Sequence, residues 1–264
     1  MENLLKKIKN SFKKRLAEIR HFTATHNPIL PSGVVIIEGI KLPYSKIPKT
    51  TVLQLSLGTY EDVERDFIKR YLPTEAFVIE LGASIGVISC HILEKKPVRL
   101  ISFEAVEKWA QVARETVNLN FKDPIPFEVV QLAIGAVGQS HVIFNSSSED
   151  NLGGQISSTP TDISMTVPAI SLFDLNRIYD VPLGAWLIMD IEGMEWDIAK
   201  NQSDALRSYE GVIVECHKTM DDEIIITPAR IVNEFTLGGF TLIEKADHGT
   251  HIVAVFKRTA ISHR

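Results

Sequence analysis

Phe77, Val78, Ile79, Glu80, Leu81, Gly82, Ala83, Ser84, Ile85 and Gly86 make an apolar run that ends in a carboxylate and turns through small residues toward a helix. Small side chains at such a turn let backbone N–H groups meet a nucleotide-containing ligand at close range. A second carboxylate, Glu104, closes the next apolar run at a position where it can accept both hydroxyl protons of a ribose. Further along, Asp190, Glu192 and Glu195 crowd around Gly193, and Glu215 and His217 end the apolar run after them. Carboxylates and an imidazole gathered at strand ends are groups that take, hold or deliver protons.

The glycines choose the ligand. A dinucleotide loop needs glycine at three places, and counting from Gly82 the second falls on Ser84 and the third on Val87. Gly82 and Gly86 behind the acid Glu80 instead fit S-adenosylmethionine, which has no pyrophosphate to cradle. Methyl transfer from a sulfonium requires in-line placement of the acceptor and, for a hydroxyl acceptor, removal of one proton. Asp190 or His217 is expected to take it, directly or through water, with Glu192 in the same cluster. A divalent metal held by Asp190 and Glu215 is the alternative, lowering the pKa of the hydroxyl. Glu195 also suits the first turn of a helix, where the dipole favours a carboxylate.

Those residues need strands and helices to hold them. Periodicity predicts helices over 60–71, 85–94, 107–120, 195–201 and 228–235. Strands are expected from Phe77 and over 98–104, 127–133, 185–190, 211–216, 240–244 and 251–256. The alternation specifies an α/β chain with a Rossmann-like, doubly wound, mostly parallel seven-stranded sheet, and the last two strands, with no helix between them, form an antiparallel edge hairpin. Between strands, residues 145–162 are rich in Ser, Asn, Gly and Pro and are expected to form a loop over the site whose neutral donors and acceptors suit a hydroxyl-rich acceptor.

The ends and the composition set the organisation. Residues 1–22 are expected to form a basic amphipathic helix: Leu4, Ile8, Phe12, Leu16 and Ile19 recur at helical spacing among Lys6, Lys7, Lys9, Lys13, Lys14, Arg15 and Arg20. Its stripe either lies on an anionic membrane surface or packs on the domain or a second subunit. Residues 23–50, with Pro28, Pro31, Gly33, Gly39, Pro43 and Pro48, form a connector, with β-prone runs at 34–37 and 51–55. The catalytic domain then occupies 51–264. A 264-residue chain that is 45% hydrophobic can bury one full α/β core. Cys90 and Cys216 fall in apolar runs without a secretory leader before them, so a reduced, cytoplasmic setting is expected, at most peripheral to the inner membrane surface.

The chain resembles the FkbM-type S-adenosylmethionine-dependent methyltransferases from about Gly58 to the last strand. Carrying the resemblance are Gly58, Thr59, Tyr60 and Glu61 in the lead-in helix, the loop from Glu80 to Gly86, Phe103 and Glu104 followed by Asn118 and Asn120, and Ala133 with Gly135. The most specific part is Asp190, Glu192, Gly193 and Glu195. Two positions depart, since the family usually has Asn at Ser84 and Lys at Ile188. The resemblance implies a cofactor set of Glu80, Gly82, Ala83, Ser84, Gly86, Glu104, Ala105, Ala133 and Asp190. It also implies O-methylation of a sugar, glycan or natural-product hydroxyl, with no nucleic-acid partner. An NAD-dependent dehydrogenase or a non-catalytic protein of the same fold, docking through its basic helix, are the competing classes.

Overall fold

Strand residues that alternate between two apolar faces bury both sides of the central sheet. In the computed structural model, which describes residues 33–122, 124–146, 154–156 and 164–259, Val78, Leu100, Trp186, Ile188, Ile213 and Val255 face one apolar cluster. Their strand neighbours Ile79, Ile101, Leu187, Val212 and Val214 face the other. Each such buried side chain contributes about 1.5–3 kcal/mol.

In chain order the elements are β1 (Val34–Ile37), β2 (Ile40–Pro43), α1 (Lys49–Leu57), α2 (Asp62–Tyr71), β3 (Phe77–Leu81), α3 (Val87–Glu94), β4 (Arg99–Glu104) and α4 (Glu107–Asn120). Then come β5 (Phe127–Gln131), β6 (Ala133–Ile134), β7 (His141–Ser146), β8 (Gly154–Ile156), β9 (Ser164–Ile170), α5 (Leu172–Ile178), β10 (Ala185–Met189) and α6 (Glu195–Asn201). The chain closes with β11 (Tyr209–His217), β12 (Thr219–Asp221), β13 (Ile224–Ile226), α7 (Pro228–Leu237), β14 (Phe240–Asp247) and β15 (His251–Arg258).

The seven-stranded sheet runs β14-β15-β11-β10-β3-β4-β5. Strands β5, β4, β3, β10 and β11 are parallel, and β15 pairs antiparallel with both β11 and β14. Numbered by first use, the order is 3-2-1-4-5-7-6, a Rossmann-type order with its last strand slotted in as an edge hairpin. Helices α1 to α4 cover one face and α5 to α7 the other. The doubly wound expectation and its edge hairpin are therefore observed. The order reverses between β3 and β10, and the crevice outside the carboxyl ends of these two strands is where an open α/β sheet receives ligands.

Four local expectations are corrected. Residues 51–55 are helix, not strand: Thr51, Val52, Leu55 and Ser56 form one buried helical face, Pro48 precedes the first turn, and Gly58 ends the helix at φ +68°. Tertiary burial overrides the β-propensity of Thr and Val. Gly58 to Glu61 do not join the lead-in helix, because Glu61 takes a left-handed conformation at φ +48° and α2 starts after it. The expected strand 127–133 breaks at Leu132, and Ala133 and Ile134 pair with β9 in a separate four-stranded sheet, β6-β9-β7-β8. That small sheet takes up part of the segment expected to be loop, with β8 at Gly154–Ile156. The remaining loop residues and the basic helix of 1–22 lie outside the described residues. No helix among the described residues is long and apolar enough to cross a membrane. Cys90 and Cys216 are free and buried, in α3 and β11.

Candidate functional site

The loop after β3 is held from both sides. Gly82 N and Ala83 N donate to Phe103 O at 2.8 and 3.1 Å, and Asp190 N donates to Leu81 O at 3.0 Å. Gly82 sits at φ +90°, and a Cβ there would lie 1.9 Å from Asp190 O. Only glycine permits this approach of the β3 and β10 ends. Gly86, at φ +81°, caps α3, and a Cβ on it would come within 2.9 Å of the Ala113 backbone in α4. Its role is close packing of two helices.

Glu104 organises the loop. Its Oε2 accepts from Ser84 N at 2.8 Å and its Oε1 from Val106 N at 2.9 Å. Burial raises its pKa, and amide donors from Val106, Ser84 and Ala105 oppose the rise. A carboxylate has about four acceptor positions, so two amides leave capacity for a ligand. Ser84 Oγ lies 3.2 Å from the Tyr60 hydroxyl.

A cleft of about 310 Å³ opens at the switch point. It lies at the lower end of the roughly 300–1,000 Å³ typical of ligand sites. Its walls include Gly82, Ser84, Glu104, Ala105, Ala133, Asp190, Glu192 and Glu215 from the sequence-predicted set. Ala83 and Gly86 do not line it: Ala83 packs with Ala110, Ala113 and Val129 behind the loop. Glu80 is also absent from the cleft wall. It is 1% exposed and accepts hydrogen bonds from Ser89 and Ser102, with its side chain turned into the layer beneath the loop. Burial pushes Glu80 up to about 7. Of the two positions that depart from the FkbM-type pattern, Ser84 lines the cleft and Ile188 a smaller cavity behind it.

Sequence reasoning missed part of the wall. Gln54, Tyr60, Glu61, Leu132, Ile134 and Phe144 also line the cleft. Tyr60 and Glu61 belong to the resemblance, but no chemistry was attached to them. The β-prone run ending at Phe144 was the available signal for β7. Five of the lining residues are acids, Glu61, Glu104, Asp190, Glu192 and Glu215, and none is Lys, Arg or His.

His217, at the end of β11, sits among four acids, three of them from the cleft wall and the fourth Glu195. Its Nδ1 lies 3.1 Å from Glu195 Oε1 and 3.8 Å from Asp190 Oδ1; its Nε2 lies 3.1 Å from Glu215 and 3.7 Å from Glu192. Burial works against the charged imidazole, yet hydrogen bonds to Glu195 and Glu215 and the nearby Asp190 charge outweigh it and push His217 up to about 12. A ring that holds its proton this firmly is a charge partner for the cluster rather than a ready base. Asp190 is moved well above the usual carboxylate range, by burial first and then by the Glu215 charge. Burial also pushes Glu61 up to about 8 and Glu64 up to about 9, while Glu215 is lowered because His217 outweighs its burial.

One atom each from Asp190, Glu192 and His217 falls within 4.8 Å of the others, a spacing that metal ligands adopt. Both imidazole nitrogens face carboxylates at 3.1 Å, and Glu215 is engaged by His217 and by Glu64; with Nδ1 donating to Glu195, Nε2 is the ring atom that would turn to an ion held by these acids. Glu195, fully buried, accepts from Ile191 N and Gly193 N at the start of α6, as a first-turn carboxylate should.

Two expected results arise from this geometry. On the S-adenosylmethionine reading expected from the sequence, Glu104→Ala weakens cofactor binding by about 1.5–3 kcal/mol, because a charged acceptor is lost and Ser84 N is released; calorimetry that returns unchanged affinity removes Glu104 from the site. The second concerns pH. His217 has a folded pKa raised from 6.5 to about 12, so its contribution to stability is fully present below 6.5 and is lost as pH rises toward 12. Thermal melts therefore fall from pH 6.5 to 9, by at most about 1.4 kcal/mol per pH unit from this group. His217→Gln makes the slope shallower, the remainder coming from Glu61 and Glu64, whose raised pKa values lose stability over the same range; an equal slope in the variant places the titration elsewhere.

No family model matches the chain, and no curated protein matches its sequence. Solved structures do match in fold. A protein from Streptococcus mutans assigned as a SAM-dependent methyltransferase superposes with a TM-score of 0.51 at 11% identity, over 85% of this chain and 55% of that one. An assigned rRNA-methylase from Clostridium thermocellum gives 0.47 at 11% identity, over 75% and 95% of the two chains. A protein from Escherichia coli assigned as a methyltransferase gives 0.46 at 11% identity, over 86% and 99%. The chain spans about half the length of the Streptococcus mutans protein. What it shares with that structure is the fold, a Rossmann-like α/β sheet.

Proposed function

We propose that the chain is an S-adenosylmethionine-dependent O-methyltransferase of FkbM type. The observation that carries the reading is one cleft with two chemically distinct walls. On one side Gly82, Ser84 and the amide-bound Glu104 form a cofactor cradle, and on the other Asp190 stands with a raised pKa beside a protonated His217.

When bound, the cofactor supplies a methyl group on a sulfonium. Glu104 accepts from the ribose hydroxyls while Ser84 N keeps its carboxylate oriented. Gly82 keeps the backbone low enough for the methionine portion to approach. Asp190 accepts the acceptor hydroxyl's proton, its basicity raised by burial and neighbouring charge. His217 does not compete for that proton; it holds Glu195 and Glu215 in place and offsets their charge.

The acceptor we infer is a hydroxyl on a sugar, glycan or natural product. The cleft wall offers no Lys, Arg or His to the phosphates of an RNA acceptor, and so lacks the cations whose counterion release drives nucleic-acid binding. Calorimetry with S-adenosylmethionine against NAD tests the cofactor, and turnover with hydroxyl-bearing acceptors against RNA tests the substrate. Binding of NAD alone, or methylation of RNA alone, replaces this reading. Peripheral contact of residues 1–20 with an anionic surface remains part of the proposal, checked by vesicle co-sedimentation of the intact and truncated chain at low and high salt.

A further inference from the structure

Behind the cleft, between β3, β10 and the start of α2, lies a second cavity of about 20 Å³. A site of this size holds one water or one small ion, since about 10–15 Å³ suffices for a water. Four carboxylates border it, Glu61, Glu64, Glu80 and Asp190, and the rest of its wall is glycine and aliphatic or Met side chains such as Ile88 and Ile188.

Two oxygens of these carboxylates are buried without a hydrogen-bond partner, Glu80 Oε1 and Asp190 Oδ1. The sheet register explains the first. Glu80 stands between Ser102 on β4 and Ile188 on β10. Its Oε2 accepts from Ser102 and from Ser89, which turns that oxygen toward β4 and leaves Oε1 for the β10 side, where the cavity is. Glu80 is 1% exposed and Glu64 8%, so solvent does not screen these groups. A buried polar group without a partner costs free energy, and buried charges are paired or bind ions.

We propose that this cavity binds one dehydrated monovalent cation, Na⁺ or K⁺, ligated by Glu80 and Asp190. A single water would satisfy the two oxygens but would bring no positive charge to the four acids, which burial otherwise keeps neutral by raising their pKa. Mg²⁺ gives up its waters reluctantly and keeps several of them, and about 20 Å³ has no room for that shell. A bare monovalent ion supplies both the charge and the missing contact. Its place beside Gly82 and Asp190 puts it under the floor of the cleft.

The test needs no turnover and so stands apart from the methyltransferase reading. The intact chain is melted in NaCl, KCl and choline chloride at equal ionic strength. Na⁺ or K⁺ raises the melting temperature saturably by about 5 °C or more over choline, as expected of a ligand that binds only the folded state. Glu80→Gln abolishes the difference, and Glu64→Gln, which keeps Glu80, reduces it. Crystals grown with Tl⁺ show an anomalous peak against Glu80 Oε1. Identical melts in all three salts, a response that survives Glu80→Gln, or a crystal without that peak overturns the proposal and assigns neutralisation to protons; should Glu80→Gln fail to fold, the wild-type salt comparison and the Tl⁺ crystal decide.

Discussion

Gly82→Ala loses cofactor binding altogether and lowers the melting temperature by about 6 °C or more, the equivalent of roughly 3 kcal/mol or above. The added Cβ would sit 1.9 Å from Asp190 O, a backbone atom that cannot swing aside as a flexible side chain would. Relief requires the ends of β3 and β10 to part, and the hydrogen bond from Asp190 N to Leu81 O lies directly in that seam. The φ of +90° adds a strain that any L side chain meets. Substituting Gly138, which also has positive φ but nothing within 4 Å of its Cβ position, separates the two costs. Calorimetry and thermal melts check both, and a Gly82→Ala protein that melts and binds like the parent sinks the seam as described.

Asp190→Asn lowers turnover by a factor on the order of 10²–10⁴, the usual range for loss of a general base, while cofactor affinity stays within a few fold. The amide keeps the shape of the carboxylate and removes its basicity. Glu192 and Glu215 line the same cleft, and neither replaces it: Glu215 is lowered by its hydrogen bond to His217, which makes it the weaker base. With Asp190 as the base, exhaustive chelation leaves wild-type turnover unchanged, and loss of turnover on chelation restores the Asp190 and Glu215 metal as the alternative. Loss of cofactor binding in Asp190→Asn, with no separate catalytic defect, moves Asp190 to the cofactor side of the cleft.

The parts of this molecule that were legible in the sequence are those where local signal and burial agree. Helices 107–120 and 195–201 match the structure to the residue because their apolar stripes are also their packed faces. The inner strands β3, β4, β10, β11 and β15 read clearly because each is buried on both sides, while the edge strands β5 and β14 are partly exposed. Residues 51–55 misled because Thr and Val look like strand until the core they face is known. For α5 the cap was in the sequence, Ser171 accepting from Asp174 N, but Phe173 and Ile178 are apolar and exposed, which blurs its stripe. In the site, acid positions were visible and their orientations were not. Glu80 and Glu104 both close apolar runs at β3 and β4, yet one turns beneath the loop and the other into the cleft, a difference set by strand register and by which hydroxyls and amides wait on each side.

The small sheet β6-β9-β7-β8 enters the chain between the third and fourth strands of the main sheet and supplies Ala133, Ile134 and Phe144 to the cleft. Among the described residues it shares no strand pairing with the seven-stranded sheet. On the proposed reading, the acceptor side of the cleft is then built largely by residues outside the ladder that holds Gly82, Glu104 and Asp190, so a lineage on this frame can change what it modifies while keeping how it modifies.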